Sequence, residues 1–121
     1  MKKIIGSLSL LLMASNLMAQ KKETVHSVIV EWHEEAWYKT QEKLWKADID
    51  KNKKNAEAWI NYYSAIRALG NCSDDSKDRV FYNQLGHQVA EDLMKCLPES
   101  FEANYVMYWD SGLGFSDEKN L

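Results

Sequence analysis

Four blocks of this chain place apolar side chains three or four positions apart, and each block begins or ends on a residue suited to a helix boundary. In the first, Trp32, Ala36, Trp37, Leu44, Trp45 and Ala47 fall at helical spacing, with Glu, Lys and Gln between them; this predicts a helix from about residue 32 to residue 51. In the second, Asn55 can cap a helix carrying Ala56, Trp59, Ile60, Tyr63, Ile66 and Leu69, and Gly70-Asn71 supplies a stop. The third follows a polar loop in which Asp74, Asp75 and Ser76 can cap. It carries Phe81, Leu85, Val89, Leu93 and Cys96 until Pro98 blocks continuation. Gly86 lies inside it and weakens it by roughly 1 kcal/mol relative to Ala. In the fourth, Ser100 caps a helix with Phe101, Tyr105, Tyr108 and Trp109, and Gly112-Leu113-Gly114 ends it. Ahead of all four, Val25, Val28, Ile29 and Val30 are β-branched, which suits an extended lead-in or the frayed start of the first helix.

Residues 55–63 return in outline at 100–108, 45 positions later: a capping residue, then Glu and Ala, then aromatic side chains. One amphipathic hairpin cannot bury its aromatic stripe alone, so repeated hairpins stack and share a core. The expected fold is all-α, with antiparallel hairpins forming a short solenoid. Such an architecture does not name a reaction. Ser116-Asp117-Glu118 resemble the start of another helix just before the chain stops at Leu121. A repeat that ends on a start signal lacks its capping element, so a longer parent chain is expected.

Trp59, Tyr62, Tyr63 and Ile66 match the spacing of a tetratricopeptide-repeat helix, and the chain resembles that family from about residue 32 to residue 109. The junction Leu97-Pro98-Glu99-Ser100 keeps the family's proline, whereas Lys53 stands in that place in the preceding junction. Tyr63 stands where the family commonly has Gly, and 45 residues exceed the usual repeat length. The resemblance, to degenerate repeats of exported bacterial proteins, implies a tetratricopeptide-like scaffold that binds protein or peptide in the envelope. It does not name a ligand.

The first residues add a compartment. Lys2-Lys3 precede an apolar run from Ile4 to Met13, and Ala19 precedes Gln20, the order of a secretory leader. The run is about half the roughly twenty residues needed to cross a bilayer, so a retained membrane helix is disfavoured. The expected division is a signal peptide over 1–19, a lead-in over 20–31, the helical domain over 32–112 and a tail over 113–121. Export to the periplasm or beyond follows. Cleavage would remove Lys2 and Lys3 and no acidic residue, moving the formal charge from −3 to −5. A mildly acidic chain without a clustered basic face offers no footprint for a phosphate backbone, so nucleic acid is an unexpected partner. The run Lys51-Asn52-Lys53-Lys54 reads as a turn whose cations complement a helix C-terminus.

Reaction chemistry is sparse. His33-Glu34-Glu35-Ala36-Trp37 begins like a zinc-protease helix, but Trp37 stands where a second His is required. His26, His33 and His87 share no ligand spacing, and Glu34-Glu35, Asp74-Asp75 and Glu91-Asp92 are sequence neighbours that point apart on a helix. His87 and Cys96 are about 13 Å apart along one helix axis, too far for a nucleophile pair. Gly112-Leu113-Gly114 follows a helix, whereas phosphate binding needs the loop before one.

Cys72 lies at one end of the second hairpin and Cys96 at the far end of the third helix, roughly 27 Å away, so no intrachain disulfide is expected. Cys96 reads as a small core residue and Cys72 as an exposed thiol. No enzyme activity, metal or cofactor is expected. The five Trp, six Tyr and three Phe all lie beyond the leader. Trp59, Tyr63, Tyr105, Tyr108 and Trp109 read as core. Trp37 and Tyr62, off the most populated stripes, are the candidate ligand-binding residues. The favoured expectation is a non-enzymatic binding scaffold. The alternatives are an accessory domain of a longer envelope enzyme and a structural protein that oligomerises through exposed aromatic surface.

Overall fold

The computed structural model describes residues 21–27 and 31–111. Among the described residues four helices follow in order: α1 Glu35–Lys51, α2 Ala56–Cys72, α3 Ser76–Cys96 and α4 Phe101–Asp110. Among the described residues there is no β-strand. The expected leader, residues 28–30, and the glycines and expected start signal after Ser111 lie outside the described residues.

The caps read from the sequence are in place. The Asn55 side chain accepts from the Ala58 amide at 3.1 Å, and the Ser100 hydroxyl accepts from the Ala103 amide at 3.0 Å, so the two repeats open on the same bond. Asp75 caps α3 by accepting from the Lys77 amide at 2.9 Å. α1 begins at Glu35, three residues later than expected. The preceding turn folds over Tyr38 instead: the His33 amide donates to the Tyr38 hydroxyl at 3.3 Å, and the His33 ring stacks on Trp37 with centroids 3.7 Å apart.

Each helix packs on the next in the chain, and α2 also meets α4. The packing is that of a helical repeat, with α2 covered on three sides. Burial therefore extends around α2 well beyond the expected stripe, to Ala58, Asn61, Tyr62 and Ala65. At the other extreme, α4 buries only Ala103 and Val106. Phe101, Tyr108 and Trp109 are 73%, 57% and 52% exposed, contrary to the core role expected of Tyr108 and Trp109. The reason is geometric: α4 meets α2 and α3 on one side, and no described element covers its other side. Phe81, expected in the α3 stripe, is also exposed, whereas Val89 and Leu93 are buried.

Gly70 does not stop α2, which continues to Cys72. It lets α3 approach: a Cβ there would lie 3.3 Å from both Tyr82 Cβ and Asn83 Oδ1. At Gly86 the same addition would meet only the flexible Arg67 Cδ at 3.4 Å and more distant ring and methyl atoms. Both cysteines are free and half-buried. The Cys96 carbonyl accepts from Lys54 Nζ at 3.0 Å, near the start of α2, while Cys72 ends that helix. One helix length, roughly 25 Å, therefore separates them. Cys96 packs against the core as expected, and Cys72 is more covered than the exposed thiol anticipated.

Residues 21–27 form an arm without helix or strand laid across α1 and α2, while Val28, Ile29 and Val30 of the lead-in lie outside the described residues. Two buried side-chain amides read its backbone. Gln41, 1% exposed, accepts from the Glu23 amide at 2.7 Å and donates to the Lys21 carbonyl at 3.0 Å. Asn61, 2% exposed, accepts from the Val25 and His26 amides at 2.7 and 2.9 Å, while its own NH2 donates to the Glu57 carbonyl. The Trp45 indole donates to the Glu23 carbonyl at 2.9 Å. Lys22 pairs with Asp48 and lies over the Trp45 ring, 4.7 Å from its centroid.

Two outcomes are expected. Gly86→Ala removes backbone freedom from the unfolded chain without a clash and raises stability by about 0.5–1 kcal/mol, whereas Gly70→Ala meets the root of Tyr82 and gains nothing or loses stability. Urea unfolding of the two variants checks this. Burial, reinforced by the nearby charges of Glu42 and Asp50, pushes the Tyr62 hydroxyl up to about 12. The folded state thus holds this proton more tightly than the unfolded chain, whose tyrosines ionise near pH 10. Its contribution to stability is complete below about pH 10 and is lost as pH rises through about 12. Tyrosinate absorbance followed beside helicity should show late-ionising tyrosines titrating together with unfolding.

Candidate functional site

The arm forms one wall of an open cleft of about 290 Å³. Val25 and His26 come from the arm, Glu31 and Trp32 from the turn before α1, Tyr63 and Arg67 from α2, and Tyr105 and Trp109 from α4. Helical spacing explains the set: positions 63 and 67 on α2, and 105 and 109 on α4, lie one turn apart on one face. The volume is near the lower end for small-molecule pockets and suits one or two side chains of a partner.

The cleft surface is mostly apolar, with aromatic rings from every element that lines it and with polar groups among them. His26 meets Tyr105 edge-to-face at 5.0 Å, and burial lowers its pKa from 6.5, favouring the neutral ring. Tyr105 in turn lies 6.0 Å from Trp109. Trp32, 73% exposed, and Trp109, 52% exposed, line the cleft from the segment before α1 and from α4 and offer large rings to solvent.

Beneath the cleft, Asp110 bridges two other helices. Its Oδ1 accepts from the Tyr63 hydroxyl at 3.1 Å, and its Oδ2 lies 2.7 Å from His87 Nδ1. The carboxylate side chain is 9% exposed, and its charge joins burial in raising the Tyr63 pKa. This contact ties the last turn of α4 to α2 and α3. A tyrosine held protonated and donating to a carboxylate is poorly placed as a nucleophile or a base. The arrangement orients a wall of the cleft.

Neither Trp37 nor Tyr62 lines this cleft. Trp37 borders a smaller hollow of about 150 Å³ beside it, which shares Val25, Glu31 and Tyr38 with the cleft. Its indole donates to Glu23 Oε2 at 2.8 Å, so the arm engages it. Tyr62, 6% exposed, lies in the core with Trp59 and Ile49, because the face of α2 that looked unpartnered is covered. The cleft residues themselves carried no chemical motif. His26, His87 and Asp110 are remote in sequence from their partners, and only the pairing of the repeats hinted that α2 and α4 would present rings on one side.

No group of three or more His, Cys, Asp or Glu among the described residues is placed to hold a metal ion. No helix among them is long and apolar enough to cross a membrane. Comparison of the chain with protein-family models, curated proteins and solved structures gives no significant match.

Asp110→Ala leaves the buried Tyr63 hydroxyl without its acceptor and should cost about 1–3 kcal/mol, while Asp110→Asn, which keeps an oxygen there, should cost less. Urea midpoints of the two variants, with proteolysis read at α4, check the order.

Proposed function

We propose that the chain is a non-enzymatic, tetratricopeptide-like module of the bacterial envelope that binds a protein or peptide through the aromatic cleft. The observation that carries this reading is the pair Trp32 and Trp109, both exposed and both lining one cleft in which Tyr105 already packs near Trp109. Large rigid rings left open to solvent, bordered by polar groups such as Arg67 and Asn71, are what a partner's apolar side chain needs for anchoring. Export rests on the leader pattern before Gln20, and the scaffold role on the stacked hairpins. Within the cleft wall, Tyr63 is held by Asp110, which joins α4 to α2 and α3.

Hot-spot tryptophans typically contribute 2 kcal/mol or more at an interface, so Trp32→Ala and Trp109→Ala should each lower partner capture from envelope extract by roughly tenfold or more. Both side chains are exposed, so helicity should not change. Lys43→Ala, an exposed position on α1 outside the cleft, should leave capture intact. Equal capture by all three variants would remove the cleft from the reading.

A further inference from the structure

We propose that the segment received by the cleft is proline-rich, with a basic residue at its flank; this rests on the reading of the cleft as a peptide-binding surface. The tryptophans carry the argument. Three of the five use their indole N–H groups inside the fold: Trp37 donates to Glu23 Oε2 at 2.8 Å, Trp45 to the Glu23 carbonyl at 2.9 Å and Trp59 to the Lys53 carbonyl at 2.9 Å. The other two are Trp32 and Trp109. They line the cleft, they are the exposed ones, and their indole N–H groups meet no acceptor among the described residues. Each therefore offers a ligand a flat apolar face and a free donor at its edge.

A proline-rich segment answers both features. Its polyproline II backbone makes no internal hydrogen bonds, so its carbonyls are open to indole donors, and proline brings no N–H that needs an acceptor. The other ways of holding a peptide fit the cleft less well. A peptide that adds as a strand needs a sheet edge, and there is no β-strand among the described residues. An amphipathic helix needs a groove for anchors over two turns, whereas about 290 Å³ takes one or two side chains. An acidic or phosphorylated motif needs a cluster of Arg, and Arg67 is the one basic side chain lining the cleft. The ring spacing also suits proline: Tyr105 and Trp109 have centroids 6.0 Å apart, and two residues of polyproline II rise about 6 Å.

Charge supplies the flank. Glu31 lies in the cleft next to Trp32 in sequence, and its side chain is 78% exposed, with His33 Nε2 4.0 Å from its Oε2. Arg67, from α2, is already engaged within the protein. Glu31 is thus the charge at the mouth of the cleft that a ligand can meet, and a Lys or Arg beside the proline seated on Trp32 meets it. Such an exposed pair adds little affinity and is screened by salt, so its part is to set the direction of the segment.

Calorimetric titration of the exported protein with an oligoproline peptide ending in arginine tests it, beside a glycine-serine peptide of the same length and ending. The oligoproline should bind at least about tenfold more tightly. Trp32→Phe and Trp109→Phe keep a ring but lose the indole donor, and each should weaken binding by about three- to tenfold; the corresponding Ala variants should weaken it by about tenfold or more with helicity unchanged. If an Ala variant loses helicity, the Phe variants decide. Glu31→Gln should weaken the arginine-ended peptide at low salt and leave an oligoproline with a neutral end unaffected. Equal binding of the two peptides, or oligoproline binding indifferent to Trp32 and Trp109, would overturn the proposal, as would a neutral oligosaccharide that binds at these tryptophans in place of the peptide. Capture from envelope extract keeps the two readings apart. If Trp32→Ala abolishes capture while oligoproline does not bind, the cleft still receives a partner and proline recognition alone fails.

Discussion

The burial of α2 on three sides is the constraint from which the rest of the structure follows. A helix so enclosed must be nearly apolar all round, and α2 meets that demand with Trp59, Ile60, Tyr62, Tyr63, Ile66 and Leu69. It also carries Asn61 inward, and a buried amide must find partners. Asn61 finds one in its own helix and two in the arm, so residues 21–27 complete the core in place of a further helix. Gln41 does the same from α1, and between them the two amides hold an irregular backbone where water would otherwise be needed.

The cleft is a consequence of that arrangement. The arm runs past the start of α1 and brings Val25 and His26 to face α4, whose rings would otherwise meet open solvent. Asp110 then fixes the far wall by joining α4 to Tyr63 and His87. The polar contacts therefore serve geometry, and the apolar rings between them are what a ligand can reach. On the proposed reading, the specificity of such a module would lie in what the rings and the polar groups among them admit.

The small residues show how closely the helices must fit. Glycine often ends a helix, so Gly70 in sequence suggests a stop, yet it sits inside α2 where Tyr82 and Asn83 approach. A pattern cannot distinguish a glycine that ends a helix from one that lets a neighbour come near. Likewise the exposure of Phe101, Tyr108 and Trp109 could not be inferred from their spacing, since the same spacing buries Trp59 and Tyr63 one repeat earlier. The difference lies in what stands opposite each helix.

What the residues settled alone is local. The extent of α2, α3 and α4 to within a few residues, the caps at Asn55, Asp75 and Ser100 and the 45-residue recurrence all follow from side chains acting on their own backbone within one or two turns. What the tertiary structure decided is every relation between distant segments: the arm on Gln41 and Asn61, the covering of Tyr62, the meeting of Tyr63, His87 and Asp110, and the cleft they border. Those contacts span 18 to 47 positions. They depend on which faces the helices turn to one another, a choice made by packing the whole core at once and not by any one stretch of chain.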